Sequence, residues 1–276
     1  MTTAQFLMQR SAIAGVQAVA ARSGRTFARH THDQFGIGVL RQGAQASHSG
    51  RGPVQAGPGY VITVNPGEVH DGAPIGGGVR AWQMLYLDPE VVADAAADIW
   101  ACWPGGGSRQ FEFEHPAQDR PALARDLLAL YAHATGGAPA LACGELLLRV
   151  LAQAGGPRGA APPLAPRHAV PGAIRHARGL IDDDPAAVLT LADLAGACGL
   201  SRFQVLRAFA RATGLTPHAY QTQRRLQLAR QLIRQGASLA DAAAQGGFSD
   251  QSHMTRLFVR AYGVSPGRYA LAAGRA

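Results

Sequence analysis

Two short segments gather imidazoles in the first half of the chain. RHTHDQF sets His30 and His32 two residues apart, and NPGEVHDG places His70 just after a turn. Side chains alternate sides along a strand, so on a strand His30 and His32 share a face. Three imidazoles brought together have three uses. They can ligate a divalent metal such as zinc, with water in the fourth position and Asp33, Glu68 or Asp71 at hand. They can line a pocket for a small-molecule effector, together with rings such as Tyr60 and Trp82 that stack on it or simply fill a core. They can also satisfy backbone groups. The first two readings share one residue set: His30, His32 and His70.

The second half carries a different chemistry. RAFARATGLTPHAY and RLFVRAYGVSPGRY match at a constant separation of 49 residues: Arg207/Arg256, Phe209/Phe258, Arg211/Arg260, Gly214/Gly263, Pro217/Pro266 and Tyr220/Tyr269. Six identities in one register describe a duplicated unit. In each copy, periodicity turns Val205 and Phe209, or Met254 and Phe258, inward. The opposite faces present Arg202, Phe203, Leu206 and Arg207 in one copy, and Gln251, Ser252, Thr255 and Arg256 in the other. Arginine can take guanine, and glutamine adenine, through paired hydrogen bonds in the major groove, so these faces are suited to base edges of double-stranded DNA.

The charge supports a polyanionic partner for the second half. All 26 basic residues are arginine; residues 1–170 hold 13 of them against 12 acidic residues, whereas residues 171–276 hold 13 against 6. The net charge is thus concentrated where the repeat lies.

These residues need elements to hold them. At 276 residues the chain is long enough for two domains. Residues 155–170, GGPRGAAPPLAPRHAV, are rich in glycine and proline without an apolar period and read as a linker. They divide residues 1–154 from a DNA-binding domain at 171–276. Short runs such as FGIGVLRQ, GYVITVN and RAWQMLYL predict an antiparallel β-domain. The alternation of Val16, Ala18 and Ala20 predicts its first strand, and is weighed above a secretory signal over SAIAGVQAVAARS. Leu123, Leu127, Leu130 and Tyr131, then Leu141, Leu147, Leu148 and Leu151, predict two helices that pack on the β-domain or join two copies of the chain into a homodimer.

In the second half, Thr190, Ser201, Thr216 and Ser238 stand where helix N-caps belong, and Gly199, Gly214, Gly236 and Gly247 where helices end. The pattern is a helix, a glycine turn and a second helix, twice over, with Ala195 and Ala243 as the small residues at the crossings. The connecting helix, Pro217 to Gln235, would span about 28 Å, near the ~34 Å of one DNA turn. No run approaches the ~20 apolar residues of a membrane span. Cys102, Cys143 and Cys198 are odd in number and lack CxxC spacing, which points to a reducing cytoplasm.

Residues from about Leu189 to Tyr269 resemble the AraC/XylS-type bacterial transcription regulators, most specifically in GFSDQSHMTRLFVRAYGVSPGRY. The resemblance implies two helix-turn-helix motifs whose second helices contact DNA. It carries base-facing roles onto Phe203, Leu206, Arg207, Gln251, Ser252, Thr255 and Arg256. The first half resembles the sensor domain of those regulators and a cupin barrel. Metal-binding cupins carry a glutamate four residues after the second histidine of the HxH motif; Gly36 stands there here. The expected fold is therefore α+β: an N-terminal cupin-like β-barrel with flanking helices, then an all-α domain with two helix-turn-helix motifs. The expected partners are promoter DNA, a small-molecule effector, a second copy of the chain and, for an activator, RNA polymerase. The rival readings are a metal-dependent cupin enzyme fused to a DNA-binding domain, and a barrel that only dimerises. The chain offers no nucleophile–base pair or phosphate loop for catalysis, so no catalytic residue is assigned.

Overall fold

A computed structural model describes residues 5–101, 110–155 and 172–273. The chain divides into two compact units, Met1–Pro162 and Pro163–Ala276. Most of the proposed linker, 156–170, lies outside the described residues, as does Cys102.

The first unit is built from β1 (Gln5–Gln9), β2 (Val16–Ser23), β3 (Phe27–His30), β4 (Phe35–Gln42), β5 (Gln45–Ser49), β6 (Gly52–Ala56), β7 (Val61–Val64), β8 (His70–Pro74), β9 (Arg80–Leu87), helix α1 (Pro89–Ala101), a short β10 (Ala117–Gln118), α2 (Pro121–Gly136) and α3 (Ala140–Ala154). Every strand pairing is antiparallel. One sheet runs β1-β2-β9-β4-β7-β10 and the other β3-β8-β5-β6. The run at Val16 is thus the second strand, because the preceding β1 pairs with it along its whole length.

Alternation along the strands makes two layers. Val16 and Ala18 of β2, Ile37 and Val39 of β4, and Leu85 and Leu87 of β9 face α1–α3 and form one core with Leu123, Leu127, Leu130, Leu147 and Leu151. Fully burying a side chain of this size stabilises by about 1.5–3 kcal/mol, which is why the leucine spacing fixes which helix face turns inward. One leucine of the helical pattern takes no part in this packing: Leu141 is 76% exposed. It lies in the first turn of α3, whose inward face is made by Cys143, Leu147, Val150, Leu151 and Ala154 instead. Asp126 ties α2 to α3, accepting hydrogen bonds from Arg149 Nη2 and Gln153 Nε2, each at 2.8 Å.

The second unit is helical: α4 (Gly172–Asp183), α5 (Leu191–Cys198), α6 (Arg202–Thr213), α7 (Pro217–Gln235), α8 (Leu239–Gln245), α9 (Gln251–Tyr262) and α10 (Pro266–Ala272). Thr190 and Ser201 close capping boxes, and Thr216, Ser238, Asp250 and Ser265 accept from the third residue of their helices. Each such cap satisfies a backbone donor at the helix start and contributes about 1 kcal/mol. Left-handed glycines end α5, α6, α7 and α9. The end of α8 differs from expectation, since Gly246 caps it in an ordinary conformation and Gly247 follows with φ 74°. The second turn is one residue longer than the first. Leu200 N bonds Ala195 O and Phe248 N bonds Ala243 O, 48 residues later, yet the next caps, Ser201 and Asp250, are 49 apart.

Candidate DNA interface and effector site

The two reading helices repeat each other in packing. Val205 and Phe209 of α6, and Met254 and Phe258 of α9, are fully buried. Phe209 meets Tyr220 edge-on at 5.5 Å, and Phe258 meets Tyr269 in the same manner at 5.7 Å. The duplicated aromatic pair seats each reading helix on the helix that follows it. Alanines 195 and 243 are buried where the helices of each pair approach.

That packing leaves the other face outward. Arg202, Phe203 and Arg207 are exposed and Leu206 half-buried; on α9, Gln251, Ser252 and Arg256 are exposed and Thr255 half-buried. Residues i, i+1, i+4 and i+5 share a helix face, so each set of four is contiguous. Arg207 lies over the Phe203 ring at 5.6 Å. Two further exposed arginines, Arg211 and Arg260, stand one turn beyond each set in the last turn of their helices. Their place in the repeat is legible in the sequence, as the pair Arg211/Arg260.

What joins the copies is α7. Arg225 Nε donates to Pro185 O at 2.8 Å, Nη2 to Ala187 O at 3.0 Å and Nη1 to Gly247 O at 2.8 Å. Gln221 Nε2 donates to Ala187 O at 2.8 Å. One guanidinium thereby bridges the loop ahead of α5 and the turn ahead of α9. The fit there is close: a Cβ on Gly247 would stand 2.8 Å from Ala186 Cα. On the adjacent face of α7, Asp182 takes the Tyr220 hydroxyl at 2.8 Å and pairs with Arg224 at 2.8 Å. Burial pulls the Arg225 guanidinium below its usual range, and it stays charged because that range lies so high.

In the first unit the three histidines converge. His30 and His70 are opposed in the β3–β8 pairing, and His32 O accepts from Gly67 N at 2.7 Å, which clamps the end of the HxH segment to the NPGE turn. Ring centroids are 4.4 Å apart for His30 and His70, 4.9 Å for His30 and His32, and 5.1 Å for His32 and His70. Ligand atoms of all three lie within 4.8 Å of one another. His30 Nδ1 is 2.8 Å from Ala28 O and His70 Nδ1 3.0 Å from Glu68 O. A carbonyl only accepts, so both Nδ1 atoms carry the proton and both Nε2 atoms keep a lone pair. Burial, followed by the nearby His70, lowers the His30 pKa to about 3, and burial lowers that of His70. Glu68 Oε2 accepts from Asn65 N and Nδ2 and Asp71 Oδ1 from His48 N, while Glu68 Oε1 is buried with no hydrogen-bond partner.

Gly36 explains its own departure from the glutamate pattern. A Cβ there would fall 2.6 Å from Val64 Cγ1, 2.8 Å from Met84 Cε and 3.3 Å from Tyr86 Cε1. Tyr86 fills that space, its ring 5.1 Å from His32, and burial pushes its phenol up to about 12.

Trp82 also faces the second sheet, edge-on to Phe27 of β3 at 6.2 Å and to Phe6 of β1 at 5.9 Å. Sequence reading missed Phe27, Tyr86 and, above all, Arg80. Arg80 is 2% exposed, lies over the rings of Phe27 at 5.5 Å and Trp82 at 5.3 Å, and donates through Nη2 to Gly72 O at 3.1 Å. Its Nε and Nη1 have no hydrogen-bond partner. Burial lowers its pKa to about 10, still charged at neutral pH. The signal was the alternation in RAWQMLYL, which puts Arg80, Trp82, Met84 and Tyr86 on one face of β9. Tyr60 stands apart from Trp82: it precedes β7 with its ring against Gly57, and its carbonyl accepts from Leu40, the residue opposite Trp82. That is two strand spacings, about 10 Å, away.

Comparison with known proteins matches both units. A model described as a helix-turn-helix domain matches residues 194–272, and one described as an AraC-like ligand binding domain matches residues 14–151, half of the chain. The chain is similar to the HTH-type transcriptional regulator YbfI of Bacillus subtilis, 28% identical over 228 residues, covering 83% of this chain and 81% of that protein. It is similar over a shorter span to the transcriptional activator NphR of a Rhodococcus species, 43% identical over 84 residues, 30% of this chain and 25% of that one. Among solved structures, ToxT of Vibrio cholerae bound to an unsaturated fatty acid shares the fold with a TM-score of 0.53 at 12% identity, covering 98% of this chain and 97% of that one. ToxT bound to (E)-4-(8-methylnaphthalen-1-yl)but-3-enoic acid matches with a TM-score of 0.52 at 11% identity, over 94% and 99%. With a ligand-binding domain model over its β-unit and a helix-turn-helix model over its duplicated helices, the chain belongs to the AraC family of transcription regulators.

Proposed function

We propose that this transcription regulator reads promoter DNA with α6 and α9 in successive major grooves, and that a small organic anion between the two β-sheets controls it. The observation that carries the DNA reading is the rigid joining of two equivalent reading faces through α7, with Arg225 bonded to both halves. Arg202, Phe203, Leu206 and Arg207 meet one stretch of bases and Gln251, Ser252, Thr255 and Arg256 the other. Selection of binding sites from random duplex DNA tests this. The expected product is an asymmetric site with two conserved patches about one helical turn apart; a single patch, or none, overturns it.

For the effector, the supporting observation is Arg80, a buried cation with free N–H groups set between Phe27 and Trp82. A buried guanidinium gains most from a carboxylate, and the flanking rings suit an apolar body. The acids named with the ToxT structures are of this kind. The effector site we infer comprises Trp82, His30, His32 and His70, with Phe27 and Arg80 added and Tyr60 outside it. Arg80→Gln is expected to abolish stabilisation of the chain by organic acids in a thermal-shift panel.

The remaining assignments follow from this role. The effector acts by binding two states of the regulator unequally. The protein is no enzyme, works in the bacterial cytoplasm, and as an activator contacts RNA polymerase. It pairs with a second copy through α2 and α3, where Leu141 is exposed. Sedimentation should give a dimer that Leu141→Glu weakens. Among the described residues no helix is long and apolar enough to cross a membrane.

A further inference from the structure

We propose that His30, His32 and His70 bind a divalent first-row transition metal, through Nε2 of His30 and His70 and a ring nitrogen of His32, with one coordination position left open.

Three observations carry this. The ligand atoms lie within 4.8 Å of one another. Nitrogens on a tetrahedral zinc ion, each at about 2.0–2.1 Å, stand roughly 3.4 Å apart, so small ring rotations close the site. The non-ligating nitrogens of His30 and His70 are tied to the carbonyls of Ala28 and Glu68. That second bond is what orients a metal-binding imidazole and leaves its Nε2 lone pair free. Because these partners are backbone atoms of the same two segments, the rings are aimed before any ion arrives.

The donor set also selects the ion. Imidazole nitrogens suit zinc, nickel, copper or iron, whereas calcium and magnesium need oxygen ligands. Glu68 and Asp71 each give one oxygen, to Asn65 and to His48 N, and Glu68 Oε1 stays buried with no hydrogen-bond partner. The position from which residue 36 could add a carboxylate is filled by Met84 and Tyr86. Three neutral ligands leave the ion its full double charge, so the open position attracts an anion or water.

The proposal shares His30, His32 and His70 with the effector site inferred above, but its measurement involves neither an effector nor DNA, so the two readings fail separately. The tag-free full chain, stripped with chelator, is dialysed against buffered zinc, and bound metal is measured by mass spectrometry. About one zinc per chain is expected. His70→Gln and His32→Gln should each weaken binding by at least roughly tenfold, while His48→Gln, at an exposed histidine, leaves it unchanged. No zinc retained, or equal retention by all variants, overturns the site. Should the variants lose their β-sheet circular dichroism, cobalt loading of the unaltered chain decides. Intense visible d–d bands of a four- or five-coordinate ion support the site, and the weak spectrum of hexahydrated cobalt overturns it.

Discussion

Arg207 and Arg256 hold equivalent places in the two reading helices, yet their surroundings differ. Arg207 is stacked on Phe203, whereas Arg256 adds a small attraction to the Asp250 carboxyl, which the His253 amide chiefly holds below its ordinary range. Arg256→Ala should weaken specific DNA binding by about 1–3 kcal/mol and relax the preference at one base pair, as read by quantitative binding to a set of single-substituted sites. A uniform loss over all sites would move Arg256 to the phosphates. Phe258→Ala removes a fully buried ring and its contacts with Tyr262 and Tyr269. It is expected to cost about 3–5 kcal/mol in urea denaturation of the helical unit, with DNA binding lost as a consequence.

At the scale of elements, α7 decides how far apart the reading helices stand. Arg225→Ala leaves the carbonyls of Pro185, Ala187 and Gly247 without their shared donor. The expected outcome is looser spacing: affinity for the optimal two-patch site falls, while tolerance of one inserted or deleted base pair between the patches rises. Gly247→Ala attacks the same joint, because φ 74° disfavours any side chain and the added Cβ would press on Ala186. Strain at such a position costs about 1–3 kcal/mol, measurable as a lowered melting temperature. The caps respond to acid. Asp193 is held below its ordinary pKa by Thr190, and Asp250 chiefly by the His253 amide. A depressed carboxylate stabilises the fold above its unfolded pKa of about 3.9 and loses that contribution as pH falls through the folded value. The protection factors of the Asp193 and His253 amides, taken relative to the intrinsic exchange rate at each pH, should therefore fall in acid before those of the helix centres.

At the scale of the whole molecule, charge and stability are partitioned between two units, each with its own core. The helical unit is closed around Ile174, Ile181, Leu194, Val205 and Phe209. Residues 171–276 hold nearly all of the net positive charge. A fragment comprising the helical unit should therefore keep the same salt dependence of DNA affinity, per helical unit bound, as the full chain, with a slope of about −0.9 per phosphate neutralised. A clearly shallower slope for the fragment would assign part of the DNA contact to the β-unit.

The sequence by itself determined what depends on neighbours along the chain. The repeat, the caps at Thr190, Ser201, Thr216 and Ser238, and the inward face of each reading helix follow from local spacing, because a helix imposes its period on whatever residues compose it. HxH kept His30 and His32 close, although β3 ends at His30 and His32 follows it outside the strand. Tertiary structure alone decided what depends on strand pairing and close approach. It opposed His70 to His30, buried Arg80 between Phe27 and Trp82, moved Tyr60 two strands away and turned Leu141 outward. It also tied Arg225 to carbonyls about forty and twenty-two residues away. Pairing register joins segments remote in sequence, and a one-residue shift exchanges the faces of a strand, so no spacing within a single segment could have fixed these contacts.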